Sequence, residues 1–283
     1  MSTVITRRTF SAGLLVTAVA TTLAACGGDT TGLTDGESRK DDVVTIKVGA
    51  SPRPHAEILR FVQDNLTKGS GISLDIVEFT DYVQPNTALN DGSLAANYFQ
   101  TPNYLAQQIK DNGYDFVSVA DVHVEPLGLY STTYDSVDAI PEGSTISLNN
   151  DPANLARGLK LLADNGVIEL DPSVDVPTEL DVTSNPKKLE FSPIEGAQVA
   201  RSLDDVAAGV VNGNYAIEAG FVPSKDALLL EVGTDSPYAN ELVVRAADKD
   251  NEYLKKLAEL LTSEDVKKYI EETWSDGSVI PAF

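Results

Sequence analysis

Short β-branched runs that give way to helical spacing recur along this chain, and that alternation limits its fold more than any other feature. Val43–Gly49 is β-branched and stops at glycine, and after it Ala56, Leu59, Phe61 and Val62 share one helical face. Ile72–Phe79 alternates as a strand, Pro85–Asn90 reads as a short helix, and Tyr98 and Phe99 precede a helix over Pro102–Asn112. Phe116–Ala120 and His123–Tyr130 read as further strands, with Pro126 demoting the second to an edge or a crossing segment. Strands alternating with helices in this way predict an α/β fold built on sheets.

A second run of the same kind begins at Gly143–Leu148, a strand followed by a helix with Asp151 as N-cap and Pro152 in its favoured first position. Ser202–Asp205 reads as a capped short helix running into the strand Val206–Val211, and Leu228–Val232 and Leu242–Ala246 read as strands. Two helices close the chain, over Asn251–Leu261 and Ser263–Trp274, with Leu254, Leu257, Leu261, Val266, Tyr269 and Ile270 at helical spacing. With 283 residues, 42% of them hydrophobic, there is material for two lobes of about 100 residues each.

The N-terminus is of a different kind. Residues 1–25 carry Arg7 and Arg8, no acid, and an apolar stretch over Ala12–Ala25 that is short and interrupted by threonines, the pattern of a secretory signal. It ends in Leu23-Ala24-Ala25-Cys26-Gly27, which resembles a bacterial lipobox; the chain's only cysteine, Cys26, stands where a lipid would be attached. Arg7-Arg8 fits a twin-arginine export signal and equally the basic start of any signal peptide. Residues 26–42 hold one apolar residue after the cysteine, Leu33, and read as a flexible tether between a lipid and the globular body.

The formal net charge of −22 becomes −24 once the two signal arginines are removed, and so acidic a surface repels phosphate backbones, which excludes nucleic acid as a partner. One cysteine and two histidines, His55 and His123, leave no set for a Cys-rich metal centre, and neither a metal nor a cofactor is expected. The Gly-x-Ser-x-Gly, Walker and His-Glu-x-x-His motifs are absent, so no enzyme is expected. His55 and His123 read as structural residues at a helix start and within a strand.

Arg157 is open to two readings. It follows the helix start Asn150-Asp151-Pro152, where free backbone N–H groups and a guanidinium would suit a carboxylate, with Asn150 and Asn154 as amide partners; or it belongs to a surface ion pair. Tyr82, Tyr98, Phe99 and Tyr104 could wall an apolar pocket or belong to the core.

Six blocks in order resemble the methionine-binding lipoprotein family (MetQ/NlpA type), covering nearly all of Val43–Phe283. They are Gly49-Ala-Ser-Pro-Arg-Pro-His-Ala-Glu-Ile-Leu59, Phe79-Thr-Asp-Tyr-Val-Gln-Pro-Asn86, Ala96-Asn-Tyr-Phe-Gln100, His123-Val-Glu-Pro-Leu-Gly-Leu-Tyr-Ser131, Asn150-Asp-Pro-Ala-Asn154 and Arg201-Ser-Leu-Asp-Asp205. The resemblance implies a two-lobed, periplasmic-binding-protein-like (type II) fold with the ligand in a cleft between lobes. Lobe 1 would be 43–125 plus 242–283 and lobe 2 126–241, with crossings near Glu125–Leu129 and Glu241–Arg245.

It further implies a protein lipid-anchored on the extracytoplasmic face of the cell membrane that hands a free amino acid, methionine first, to an ABC permease and its ATPase, a role needing only a monomer. Arg157 would hold the ligand carboxylate, with Asn150, Asn154 and Asn212 as polar contacts and Tyr82, Phe99, Thr101 and Tyr104 as the side-chain pocket. Thr101 departs from the histidine usual in the family at that place, which opens the alternative of a different apolar amino acid or a short methionine-containing peptide. A sensor or adhesion lipoprotein and an extracytoplasmic enzyme on the same fold are the rivals from other classes.

Overall fold

The computed structural model describes residues 32–283; the signal segment 1–25 and the lipidation site Cys26 lie outside the described residues. In chain order, lobe 1 is formed by β1 (Glu37–Lys40), β2 (Val43–Ala50), α1 (His55–Asn65), β3 (Ile72–Glu78), α2 (Gln84–Asn90), β4 (Ala96–Gln100), α3 (Pro102–Asn112) and β5 (Phe116–Val124). Lobe 2 follows with β6 (Gly128–Tyr130), β7 (Thr145–Asn149), α4 (Pro152–Asp164), β8 (Glu169–Leu170), β9 (Val182–Ser184), β10 (Glu190–Ile194), α5 (Gly196–Val199), β11 (Ala208–Val211), α6 (Gly213–Glu218), α7 (Pro223–Asp226) and β12 (Leu229–Leu230). The chain returns to lobe 1 for β13 (Ala239–Arg245), α8 (Glu252–Leu261), α9 (Glu264–Thr273) and β14 (Ile280–Pro281). Among the described residues no helix is long and apolar enough to cross a membrane.

Each lobe is organised by one sheet. In lobe 1 the order is β1-β2-β4-β13-β5-β14, with β3 on the other side of β2; β2 runs parallel to β3 and β4, and β13 is antiparallel to β4 and β5. The inward residues Ile46 and Val48 of β2 pack against Ile58, Leu59 and Val62 of α1 and Leu254, Leu257 and Leu261 of α8, all fully or almost fully buried. In lobe 2 the order is β10-β7-β11-β6-β12, and Ile146, Leu148 and Val210 receive Leu155, Leu159 and Leu162 of α4. These i, i+4 and i+7 spacings on α4 are the amphipathic stripe that the sequence carries.

The structure departs from the sequence reading at several places. The stretch read as a tether to residue 42 is ordered from residue 32: β1 pairs antiparallel with β2, Glu37 facing Ile46 and Lys40 facing Val43. Leu33 packs against the lobe 1 core, and Lys47 N–H donates to Gly36 O at 2.9 Å. Gly36, at φ +82°, lies so close to Leu94 and Ala95 that a Cβ would fall 2.2 Å from the Ala95 nitrogen. Composition averages miss this order because backbone hydrogen bonds to β2 and polar contacts of Glu37 and Arg39 with Asn251 and Tyr253 supply most of it, with Leu33 as the one apolar anchor.

The second crossing spans residues 231–238, between β12 and β13, whereas Glu241–Arg245 lies inside lobe 1's sheet; lobe 1 takes the chain back at Ala239 rather than at 242. Phe116–Val124 is one continuous strand flanked on both sides, so its His123 end is not an edge; Pro126 falls in the short break that becomes the first crossing. Leu228–Val232 contributes only Leu229–Leu230 as strand. The unread strand β10 carries Pro193 and occupies the outer edge of its sheet, where a missing N–H is tolerated.

Candidate functional site

A narrow cleft lies between the lobes, lined by residues of both and of the segments that join them. From lobe 1 come Tyr82, ahead of α2, Phe99 and Gln100 at the end of β4, Thr101, Tyr104 on the first turn of α3, and Asn240 on β13. Lobe 2 gives Asn154 and Arg157 on α4 and the Asn212–Asn214 turn into α6; Glu125 comes from the first crossing. Strand ends and helix starts thus converge where chain direction changes, the usual place for a ligand in open α/β sheets.

The apolar wall is a group of rings. Tyr82 stands 5.9 Å from Phe99 and 5.8 Å from Tyr104, and Phe99 is 6.0 Å from Tyr104, all tilted or edge-on as aromatic quadrupoles prefer. Across the cleft Tyr215 of α6 stacks on Tyr82 at 5.0 Å. The Tyr104 hydroxyl donates to Tyr82 O at 2.8 Å, fixing the loop that carries Tyr82, and behind this wall Asn86, Asn97 and Gln100 bond to one another in a buried amide cluster. Tyr98 points the other way, into the lobe 1 core.

On lobe 2 the expected cap is formed: Asp151 accepts from Asn154 N–H at 2.9 Å through one oxygen and from Asn154 Nδ2 at 2.9 Å through the other. Asn154 Oδ1 then accepts from Asn212 Nδ2 at 2.8 Å, and Asn212 Oδ1 from Asn149 Nδ2 at 3.3 Å. Asn150, expected as a polar contact, is exposed and outside the cleft lining; the buried amide at this turn is Asn149. Asn149 is the last residue of β7 and is buried like the three before it, whereas Asn150 lies past the strand's end, where the chain turns out into solvent.

Arg157 lies one helical turn after Asn154, 4% exposed, so it is not in a surface ion pair. Its Nε donates to Glu231 Oε1 at 2.8 Å and its Nη2 to Glu231 Oε2 at 2.5 Å, and Nη2 also donates to Glu125 O at 3.1 Å. The Tyr238 ring lies 4.1 Å from the guanidinium carbon. Glu231 additionally accepts from Leu127 N–H at 2.8 Å, so one carboxylate ties Arg157 to both crossings. Among the described residues no group accepts from Nη1.

Beneath the cleft floor lies a buried polar group that sequence reading left as two unrelated structural histidines. His123 Nε2 is 2.6 Å from Glu125 Oε1, its Nδ1 meets the Tyr98 hydroxyl, and His55 Nε2 is 2.9 Å from Asn240 Oδ1 and 3.4 Å from Glu125 Oε1. With Tyr98 O–H donating to Nδ1, His123 donates from Nε2 to the Glu125 carboxylate, a tautomer that satisfies each atom. Burial pushes His55 down to about 4 and His123 down to about 3, and pushes the Glu125 carboxyl up. Donor atoms of His55, His123 and Glu125 lie within 4.8 Å of one another, the one such trio among the described residues; His55 Nε2, both His123 nitrogens and Glu125 Oε1 are already bonded to each other or to Asn240 and Tyr98, while His55 Nδ1 has no partner.

Gln100, Glu125, Gly213, Asn214, Tyr215 and Asn240 are the lining or wall residues that sequence reading did not single out. Glu125 stood inside a block already quoted for its resemblance, and Asn214 two residues past Asn212; only a contact map tells which side chains of those turns face the cleft. Three bonds span the lobes directly: Tyr82 O–H donates to Asn214 Oδ1 at 2.5 Å, Tyr215 O–H to Thr80 O at 3.2 Å and Asn103 Nδ2 to Ala153 O at 3.4 Å, the first being the shortest. Tyr82→Phe removes that first bond and leaves a buried amide oxygen unpaired, at a cost of about 1–3 kcal/mol. Stopped-flow fluorescence is therefore expected to show ligand leaving the closed form roughly tenfold faster or more; an unchanged release rate would mean that this bond does not hold the lobes together.

Comparison with known proteins agrees with this architecture. A curated D-methionine-binding lipoprotein MetQ of Salmonella typhi is 38% identical over 276 residues, covering 96% of this chain and 97% of that protein. The methionine-binding lipoprotein MetQ of Bacillus subtilis is 38% identical over 274 residues, covering 95% and 97%. The solved structure of a nutrient binding protein from Burkholderia cenocepacia bound to methionine superposes with a TM-score of 0.81 at 42% identity, covering 84% of this chain and all of that one. Its sheets and lobes are those of a two-lobed substrate-binding protein. Residues 46–283 match the family model described as NlpA lipoprotein, and the chain belongs to that family.

Proposed function

We propose that this protein is the lipid-anchored, extracytoplasmic binding component of an ABC importer, and that it closes its lobes on free methionine. What carries the reading is the make-up of the cleft: one guanidinium, Arg157, a chain of amides and a three-ring apolar wall meet between the lobes. A relative of the same fold is described as bound to methionine. Arg157 would take the ligand carboxylate, Asn154 and Asn212 the remaining polar edge, and Tyr82, Phe99 and Tyr104 the apolar side chain, each buried CH₂ contributing about 0.8 kcal/mol. No covalent step is needed; binding shifts the population from open to closed lobes, and the closed form docks on the permease. The lipid on Cys26 would keep it at the membrane that holds the permease.

A second reading keeps the fold and the role but changes the side chain. Thr101 lines the cleft where a larger ring is expected, and its hydroxyl donates to Asn103 Oδ1 at 2.6 Å. The full-length chain in detergent, stripped of carried-over ligand by unfolding and refolding, would be melted against L- and D-amino acids and short methionine peptides. Methionine at 100 times its Kd is expected to raise the midpoint by about 5–10 °C. A shift with another amino acid or a peptide but none with methionine would reassign the pocket, and no shift with any of them would remove the transport reading.

A further inference from the structure

We propose that Glu231, in the second crossing, is the positioning residue for carboxylate capture: it sets the guanidinium of Arg157 with Nη1 left to the ligand, so that the hinge and the aim of the cation move together. The inference rests on the reading of Arg157 as the carboxylate's partner and extends it to a residue that does not line the cleft.

A guanidinium is a rigid planar fork, and what it offers a ligand depends on which of its edges is already occupied. In Arg157 the Nε and Nη2 edge is bound by both oxygens of Glu231, and the Tyr238 ring covers a face at 4.1 Å. Two parallel bonds to one carboxylate fix the plane as a single bond would not. Nη2 is filled further by Glu125 O at 3.1 Å, so Nη1 is the nitrogen that remains for a visitor. Arg157 lines the cleft and Glu231 does not, so the carboxylate holds the cation from behind.

Glu231 is also a fastening of the hinge. Its own N–H donates to Leu127 O at 2.9 Å while its side chain accepts from Leu127 N–H at 2.8 Å, which pins the two crossings to each other. Two residues on, a Cβ at Gly233 would stand 2.3 Å from Ile280 Cδ1 and 3.2 Å from Pro126 Cγ, so the crossing there runs against β14 of lobe 1 and against the first crossing. Beyond Gly233 an open cavity bordered by Lys160, Leu161 and Asp164 separates the crossing from α4, which it meets again at Tyr238. One short stretch therefore touches lobe 1, the first crossing and, through Arg157, lobe 2. Rotation of the lobes is taken up in these crossings, and a displacement of Glu231 is passed to the guanidinium through the paired bonds.

The test compares methionine with methioninamide, in which a neutral amide replaces the carboxylate, by calorimetry on the full-length protein and its Glu231→Gln variant. Wild-type is expected to prefer methionine by roughly 100-fold. Gln keeps one acceptor oxygen for two donors, so that preference should fall by about tenfold while affinity for methioninamide stays within about threefold. Charge alone predicts the opposite sign, because removing an anion beside Arg157 favours an anionic ligand group. A preference that is unchanged or larger, with or without a lower melting midpoint, therefore overturns the proposal and leaves Glu231 a structural counterion. Glu231→Asp, whose carboxylate lies one methylene back and cannot hold Arg157 and Leu127 together, should lower the preference about threefold or more. It decides the matter if the Gln variant does not fold, and an unchanged preference there overturns the proposal equally. Wild-type binding both ligands alike would take the carboxylate away from Arg157, and wild-type binding neither would overturn the amino-acid reading; this inference falls with either.

Discussion

Arg157→Ala is expected to abolish binding of every amino acid, lowering affinity at least about 100-fold by calorimetry, since a buried charged hydrogen bond to a carboxylate is lost without replacement. The variant does more than delete a donor. It strands Glu231, whose side chain is 14% exposed, as a negative charge without its partner. Breaking a buried pair in this way costs on the order of 3–5 kcal/mol of stability. The two effects separate in the double variant Arg157→Ala/Glu231→Gln, in which the melting midpoint should recover most of its loss while binding does not. If either variant bound methionine within tenfold of wild-type, Arg157 would not be the carboxylate's partner.

The behaviour of Arg157 shows where sequence reading stops. Its place on a capped helix was legible because Asp151 and Pro152 are local signals, and α4 starts as those residues specify. Its partner was not, because Glu231 is 74 residues away in a crossing segment and no local pattern marks one acid among 43 as the one that meets a guanidinium. The same distinction holds for the fold. The amphipathic helices and the buried strands follow from periodicity, whereas β1 and β10 owe their strand state to pairing with β2 and β7, sequence neighbours in one case and 45 positions apart in the register of the other. Asn149 and Asn150 make the point at single-residue scale: the strand ends between them, and that end, which no local signal marks, decides which asparagine enters the buried amide chain.

The buried trio under the cleft gives the second large effect, a loss of stability in mild acid. His55 and His123 sit near 4 and 3 in the folded chain against an ordinary value of 6.5, so as pH falls below 6.5 the unfolded chain takes up protons that the folded chain refuses. Their contribution is therefore fully present above about 6.5 and is lost progressively as pH falls toward 4 and then 3. Between them the two imidazoles account for on the order of several kcal/mol. Glu125 works in the opposite sense, because burial raises its carboxyl and the folded chain accepts its proton first, which returns part of the loss. The other groups facing this cluster are Tyr98 and Asn240, uncharged here, and Arg157, which favours the Glu125 carboxylate. Against a total stability of about 5–15 kcal/mol the net change is large, and the melting midpoint should drop by about 10 °C or more between pH 7 and pH 4.5. In His55→Gln/His123→Gln the midpoint at pH 7 should be lower, because the His123–Tyr98 contact is lost, but its fall with acid should be much shallower. An equally steep fall in that double variant would place the acid sensitivity among the carboxylates elsewhere in the chain and not beneath the cleft.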